Sequence, residues 1–195
     1  MNVTGFPLRK RAKSGLSAAL VLCLAGIALL AGWILKSNIL NETQSVLRSG
    51  VSLQVPASWK VQFGIAEENQ VFSAVDPLNL LHNITAVKLP MATDGLVTDA
   101  VVNQNLKRAT VLSSYQVLEQ APYVVKDVQG YAVYYAYVEN QGTGNLPVVV
   151  RGLDIYLPFD QQIVLISLEE NESRFGSALP EFFRVLDSIS YTPGE

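Results

Sequence analysis

Apolar and polar positions divide this chain into two parts that meet near residue 50. Residues 14–35 contain no charged side chain and are mostly apolar, whereas short runs of alternating apolar and polar residues fill the chain beyond Gly50. At about 1.5 Å per residue, a helix over the uncharged segment would be about 33 Å long, enough to cross a bilayer core of about 30 Å. The pattern therefore predicts a transmembrane helix at 14–36, preceded by a basic segment at 1–13 and followed by a helical extension or short linker at 37–49.

The remaining chain, residues 50–195, has the pattern of one α+β domain. Residues 51–55 alternate apolar and polar side chains, which is typical of a half-buried strand. Similar runs predict further strands at 60–66, 70–75, 83–89, 115–119, 122–128, 131–139, 146–157 and 163–168. Helices are predicted at 96–112 and 179–188, the second with Pro180 in its first turn. Because consecutive strands joined by short turns pair antiparallel, we expect an antiparallel sheet with one helix in the middle of the domain and one at its end.

Short phrases in this domain follow one another in the order of a known family. They are Val55-Pro56-x-x-Trp59, Val71-Phe72-Ser73, a strand at 84–89, a Gly-led strand at 130–137 and Leu186-Asp187-Ser188-Ile189. In this order of elements, residues 50–192 resemble the PsbP-like family. The resemblance implies an α-β-α sandwich around an antiparallel sheet. Family members include an extrinsic photosystem subunit, a Ran-binding import factor and bacterial envelope proteins, most of which bind other proteins. No metal or docking residue of the photosystem subunit is matched here by motif.

The net charge of -3 conceals two parts of opposite sign. Residues 1–49 carry six basic and one acidic side chain, a formal charge of +5, and residues 50–195 carry 8 basic and 16 acidic ones, a charge of -8. Four of the basic residues lie within 9–13, and positively charged flanks of a membrane helix stay in the cytoplasm. We therefore expect a cytoplasmic N-terminus and an extracytoplasmic location, periplasmic, lumenal or cell-surface, for residues 37–195. The acidic domain argues against nucleic acid as a partner.

Four small residues recur at three- and four-residue intervals in the predicted transmembrane helix, so they share one helical face. They are Gly15, Ala19, Cys23 and Gly26. Small residues let helices approach closely in lipid, which predicts packing against integral membrane subunits. Gly and Ala are also common in membrane helices, so composition alone remains an alternative explanation. Trp33 and Lys36, near the helix exit, are predicted to lie at the membrane interface.

One Cys and one His leave little for catalytic or metal chemistry, and exclude a disulfide framework and a Cys/His zinc site. His82 has Asp76 upstream, but no G-x-S-x-G nucleophile elbow accompanies it. The acidic clusters at 67–68 and 169–172 lack calcium-loop spacing and are interpreted as solvated turns. There is also no glycine-rich phosphate loop. We therefore predict no catalytic, cofactor-binding or metal-binding residue and a protein that is not an enzyme.

A run of tyrosines in the predicted strand 131–139 is interpreted as ordinary sheet packing. Side chains alternate along a strand, so Tyr135 and Tyr137 share one face of the sheet and Tyr134 lies on the other. The run is therefore not expected to form one aromatic cluster.

Two functions fit these observations. The first is a non-catalytic, single-pass accessory subunit of a larger membrane complex, such as a photosynthetic or respiratory electron-transport complex. It would cap the extracytoplasmic side and aid assembly, stability or docking of a soluble protein. The alternative is a free-standing, membrane-anchored envelope protein that binds a ligand or senses stress, and this alternative predicts a concave pocket in the domain.

Overall fold

The structure is a computed structural model that describes residues 12–64, 69–91, 96–140 and 146–192. In the first helix, the side chains of residues 12–18 and 34–41 lie outside the described residues. The chain forms two compact units, Met1–Glu42 and Thr43–Glu195.

The first unit contains helix α1 (Ala12–Asn41), which is 30 residues long. It covers the predicted helix at 14–36 and extends a few residues into the segment predicted as an extension or linker. The side chains described in α1, at 19–33, are small or apolar. No helix among the described residues is long and apolar enough to cross a membrane. Membrane insertion of 14–36 stays a prediction.

The second unit begins with a small sheet that the sequence did not indicate. Residues 37–49 were expected to form a helical extension or short linker. Helix α1 continues to Asn41, and strand β1 (Thr43–Arg48) follows where no strand was expected. It pairs antiparallel with β2 (Val51–Pro56), whose other side pairs with the short C-terminal strand β10 (Ser190–Tyr191).

Two contacts explain why β1 forms. Val46, the buried residue of β1, lies opposite Leu53 of β2, so the strand gains its apolar contact only when β2 is in place. The turn between the strands contains Gly50 with a φ of 77°, a conformation that favours glycine. The Gly50 carbonyl accepts the N–H of Thr192 at 2.8 Å, and a side chain at Gly50 would collide with the Thr192 carbonyl.

The main sheet has seven antiparallel strands in the order β3-β4-β5-β9-β8-β7-β6. They are β3 (Lys60–Phe63), β4 (Gln70–Asp76), β5 (Asn79–Pro90), β6 (Ser113–Val125), β7 (Val128–Glu139), β8 (Val148–Phe159) and β9 (Gln162–Asn171). The predicted strands at 115–119 and 122–128 are one strand, β6, whose register shifts near Val117 and Glu119. A turn at Lys126 (φ 52°) then leads into β7.

One helix covers each face of this sheet. Helix α2 (Val97–Val111) contacts β6, β7 and β8, and α3 (Glu172–Asp187) contacts β8, β9 and β2. Alternation along β8 separates the two faces: Ile155 belongs to the core that contains Phe182 of α3, and Tyr156 belongs to the core that contains Val101 of α2. The α+β class, the antiparallel sheet and the α-β-α sandwich are thus confirmed.

Helix α3 begins earlier than the predicted helix at 179–188. The side chain of Asn171 accepts the N–H of Ser173 at 3.0 Å and caps the helix there, and Phe175 in the next turn is already buried. Pro180 therefore lies inside the helix, and its prediction as a first-turn residue was wrong.

Candidate functional site

A buried polar cluster lies between α2 and the sheet, centred on Arg108. The Arg108 guanidinium donates through Nη1 to Asp154 Oδ2 and through Nη2 to Ser167 Oγ at 3.3 Å. Its Cζ lies 4.1 Å from the centre of the Tyr135 ring. Asp154 is fully buried, and 11% of the Arg108 side chain is exposed. A charged pair is thus held almost entirely away from solvent.

Sheet register explains why these groups meet. Asp154 of β8 lies directly opposite Ser167 of β9, and their side chains point to the face covered by α2. On the same face, Gly152 of β8 lies between Tyr135 of β7 and Glu169 of β9. A Cβ at position 152 would overlap the Tyr135 ring, so glycine makes the room that this ring occupies.

Three phenols complete the cluster. Tyr135 donates to Glu169 Oε1 at 2.9 Å, Tyr137 donates to Glu169 Oε2 at 3.3 Å, and Tyr156 donates to Asp154 Oδ2 at 3.2 Å. Burial, and then the neighbouring carboxylates, raise the pKa of all three phenols. The phenols are therefore neutral donors across the physiological range.

The Arg108 guanidinium stays charged despite its burial. Burial on its own lowers the pKa of Arg108, but Asp154, Tyr135 and Glu169 together outweigh it and raise the pKa above its ordinary value. The cluster therefore combines one permanent cation with two carboxylates, Asp154 and Glu169. Within the described residues, Asp154 Oδ1 is buried without a hydrogen-bond partner.

A cleft of about 610 Å³ opens beside this cluster, between α2 and strands β4, β5 and β9. Arg108 and Lys107 of α2 line it together with the hydroxyl groups of Thr85 and Ser167. The amide residues Asn69, Gln70 and Gln104 and the aliphatic residues Val87, Leu89 and Leu165 complete the lining. No carboxylate lines the cleft within the part of the chain that the structure describes.

The other flank of α2 forms an apolar groove of about 470 Å³ with the edge strand β6. Val102 and Leu106 of α2 and Val117 of β6 line the groove and are largely exposed. Asn105, Tyr115 and Gln120 also line it. The Tyr115 hydroxyl donates to Asn105 Oδ1 at 2.7 Å and ties β6 to α2.

His82 lies in β5, on the face covered by α3. Its Nδ1 is 3.4 Å from Glu170 Oε2 and 3.9 Å from Asp76 Oδ2, and its Nε2 is 3.7 Å from Glu181 Oε1. The Trp59 ring packs edge-on against the imidazole at 4.6 Å. Across the described ranges, no group of three or more His, Cys, Asp or Glu side chains is arranged to hold a metal ion.

Solved structures share this fold at low sequence identity. Cyanobacterial PsbP (CyanoP) from Synechocystis sp. PCC 6803 superposes with a TM-score of 0.59 at 13% identity, covering 77% of this chain and 92% of that one. The fold is PsbP/Mog1-like. The Saccharomyces cerevisiae Ran-binding protein Mog1p superposes with a TM-score of 0.55 at 11% identity, over 78% of this chain and 96% of its own. LpqN of Mycobacterium tuberculosis, involved in cell envelope biogenesis, has a TM-score of 0.51 at 14% identity, over 78% and 93%. No family model and no curated protein matches the sequence.

The residues predicted for helix packing all lie in α1, outside this PsbP/Mog1-like domain. Ala19 and Cys23 are exposed, and a Cβ added to Gly26 would meet no atom within 4 Å. The side chains of the other predicted residues of this set, Gly15 and Lys36, lie outside the described residues. Trp33 is 68% exposed. Roles in helix packing and at the membrane interface stay predictions.

The polar cluster of the PsbP/Mog1-like domain was missed at the level of sequence. The interpretation of 169–172 as a solvated turn was wrong for its first part, because Glu169 binds two phenols and Glu170 is 2% exposed within β9. The signal was a charged residue in an apolar strand: Asp154 interrupts the run at 146–157. Residues 67–68 lie outside the described residues. The separation of Tyr134 from Tyr135 is confirmed, since Tyr134 packs on Phe175 of α3.

Proposed function

We propose that this chain is a membrane-tethered, non-catalytic accessory protein that binds an integral membrane subunit of a larger complex through the groove between α2 and β6. The groove carries the proposal. Val102 is 55%, Leu106 62% and Val117 41% exposed. Exposed apolar residues that line one concavity are characteristic of protein-binding surfaces. The occupant that fits is an apolar extracytoplasmic segment of the membrane partner.

The shared fold supports protein binding as its use. Mog1p, which has the same architecture, is a Ran-binding protein, and LpqN is involved in cell envelope biogenesis. Neither protein identifies the partner of this chain.

The proposed tether is the uncharged segment at 14–36, with the N-terminus in the cytoplasm and the domain outside. Support comes from the sequence, in which Arg and Lys cluster at 9–13 before that segment. The face formed by Gly15, Ala19, Cys23 and Gly26 would contact the same integral membrane partner. Alkaline extraction of membranes tests the tether, because release of the full chain into the supernatant would contradict it. Protease added to sealed vesicles whose cytoplasmic face is inside tests the orientation, because protection of the domain would contradict an extracytoplasmic location.

Co-purification tests the groove. We expect the tagged full chain, isolated from its own membranes in mild detergent, to bring down an integral membrane protein in stoichiometric amount. Leu106→Asp should abolish this, because it places a charge in the groove. Leu80→Asp is the matched control, since Leu80 is 75% exposed in β5 and does not line the groove. Solitary behaviour of the wild-type chain, or equal loss in both variants, would contradict the proposal.

A second function is favoured by the cleft beside Arg108. A free-standing envelope protein that binds a ligand requires a concave pocket, and this cleft has the volume of a small-molecule site. Such a protein would have no stoichiometric membrane partner. The same co-purification experiment therefore distinguishes the two functions, because only the first predicts an integral membrane protein in the purified sample.

A further inference from the structure

We propose that the cleft between α2 and strands β4, β5 and β9 binds an organic carboxylate, with Lys107 and Arg108 contacting the carboxylate and an aliphatic floor contacting its carbon chain. This inference rests on the second function above and gives its ligand a chemical class. It does not depend on the groove. Lys107 and Arg108 lie on one flank of α2, and Leu106 lines the groove on the other.

The charge of the lining points to an anion. Lys107 is exposed and has no ion pair among the described residues, and the lining contains no carboxylate that would repel an anion. The two carboxylates of the polar cluster, Asp154 and Glu169, are absent from the lining. An anion in the cleft would therefore meet two cationic side chains and no carboxylate among the lining residues.

Arg108 is prepared to serve as a ligand-binding group. A guanidinium has five N–H donors; one is directed at Asp154 and one at Ser167, and the Tyr115 hydroxyl also lies within hydrogen-bonding reach of the guanidinium. The Tyr135 ring and Asp154 hold the guanidinium in one position, so little side-chain freedom is lost when a ligand binds. Ser167 Oγ lines the cleft beside it and can donate to the same carboxylate.

The aliphatic floor distinguishes an organic acid from an inorganic anion. Val87, Leu89 and Leu165 line the cleft from β5 and β9. Leu165 is only 1% exposed, whereas Val87 and Leu89 are partly exposed. Phosphate or sulfate would leave Val87 and Leu89 partly exposed, whereas a carbon chain would bury them and gain the corresponding hydrophobic free energy. The carboxylate can belong to a small acid or to the C-terminus of a peptide, since both present the same chemistry.

Ligand-observed NMR titration of the full chain in a non-ionic detergent tests the proposal, with protein-free micelles as blank. One probe pair is 4-methylvalerate and its uncharged amide, and the other is N-acetyl-alanyl-leucine with a free carboxylate and with a C-terminal amide. We expect saturable binding of a carboxylate and at least about tenfold weaker binding of its amide. Preference for the carboxylate in both pairs indicates a small-acid site, and preference in the peptide pair alone indicates a chain terminus.

Matched variants locate the binding. Lys107→Gln should weaken carboxylate binding by about threefold or more, and Lys60→Gln, which removes the same charge from the exposed strand β3, should change it by less than about twofold. Leu106→Asp should leave carboxylate binding unchanged, so failure of the groove and failure of the cleft can be told apart. Four results would each overturn the proposal. Two concern the ligands: acid and amide bind equally well, or inorganic phosphate competes as well as the carboxylate does. The other two are equal effects of the two lysine variants and the absence of saturable binding up to about 20 mM.

Discussion

Replacing Arg108 by Met should destabilise the domain by about 3–5 kcal/mol, because it leaves a buried carboxylate without its counter-ion. Asp154 has no exposed surface, and its Oδ1 atom has no hydrogen-bond partner among the described residues. Its hydrogen bonds come from Arg108 Nη1 and the Tyr156 hydroxyl, both to Oδ2. The variant therefore retains one weak donor for a full negative charge.

The other contacts of Arg108 are not added to the predicted loss of stability. The guanidinium also packs on the Tyr135 ring and donates to Ser167, but contacts within one network are strongly coupled. Met preserves much of the apolar stem, so the loss reports charge and hydrogen bonding more than packing.

The measurement is urea unfolding at pH 7 of the full chain in a mild detergent. The chain has two tryptophans, and with Trp33 replaced by Phe in every variant, Trp59 is the only one; it is 6% exposed in the folded domain. A domain stability of about 5–15 kcal/mol makes a loss of this size easy to resolve.

Two controls make the result decisive. Arg174→Met, in α3, removes an exposed guanidinium and should cost less than about 0.5 kcal/mol. The double variant Arg108→Met/Asp154→Leu removes both charges and should recover most of the loss, because apolar pairs often replace buried ion pairs without penalty. A loss below about 1 kcal/mol for Arg108→Met, or a double variant no more stable than the single one, would refute the reasoning.

Two further outcomes are expected from the same unfolding assay. Gly152→Ala should lower the stability of the domain by about 3 kcal/mol, because the new Cβ overlaps Tyr135. Gly176→Ala in α3 is the control: its Cβ meets nothing within 4 Å, and it should raise the stability by about 0.5–1 kcal/mol. Similar effects of the two variants would contradict the steric argument. Burial and nearby carboxylates raise the pKa of Tyr137 in the folded domain. Its contribution to stability should therefore be complete below about pH 10, the pKa of tyrosine in the unfolded chain, and should decrease above that pH. Tyr137→Phe should make this decrease less steep, and an unchanged slope would contradict the prediction.

The main elements were predictable because each has a local pattern. Alternation identified β2 through Val51, Leu53 and Val55, all of which are fully buried. Helix α2 was expected at 96–112 and found at Val97–Val111. Predictions were wrong where an element depends on a contact with a residue far away in sequence, or where a single capping residue sets the start of a helix. The capping of α3 by Asn171 moved its start well before Pro180.

Residues 43–48 show why pattern alone failed for β1. The segment is polar except at Val46 and Leu47, and only Val46 is buried. A strand with so little apolar surface has no local reason to form. Its partner β2 supplies both the hydrogen bonds and the contact with Leu53, so pairing decides its structure.

By itself, the sequence determined the separation of charge along the chain and the strand and helix periods of the domain, because these depend on neighbouring residues. Only the tertiary structure decided which charges are buried. Arg108 and Asp154 are 46 positions apart and meet because the register of β8 against β9 places Asp154 under α2. The cleft depends on tertiary structure in the same way, because α2 and β9, which both line it, are far apart along the chain. The groove forms between α2 and β6, which follow one another in sequence, and it exists only because the two elements pack side by side.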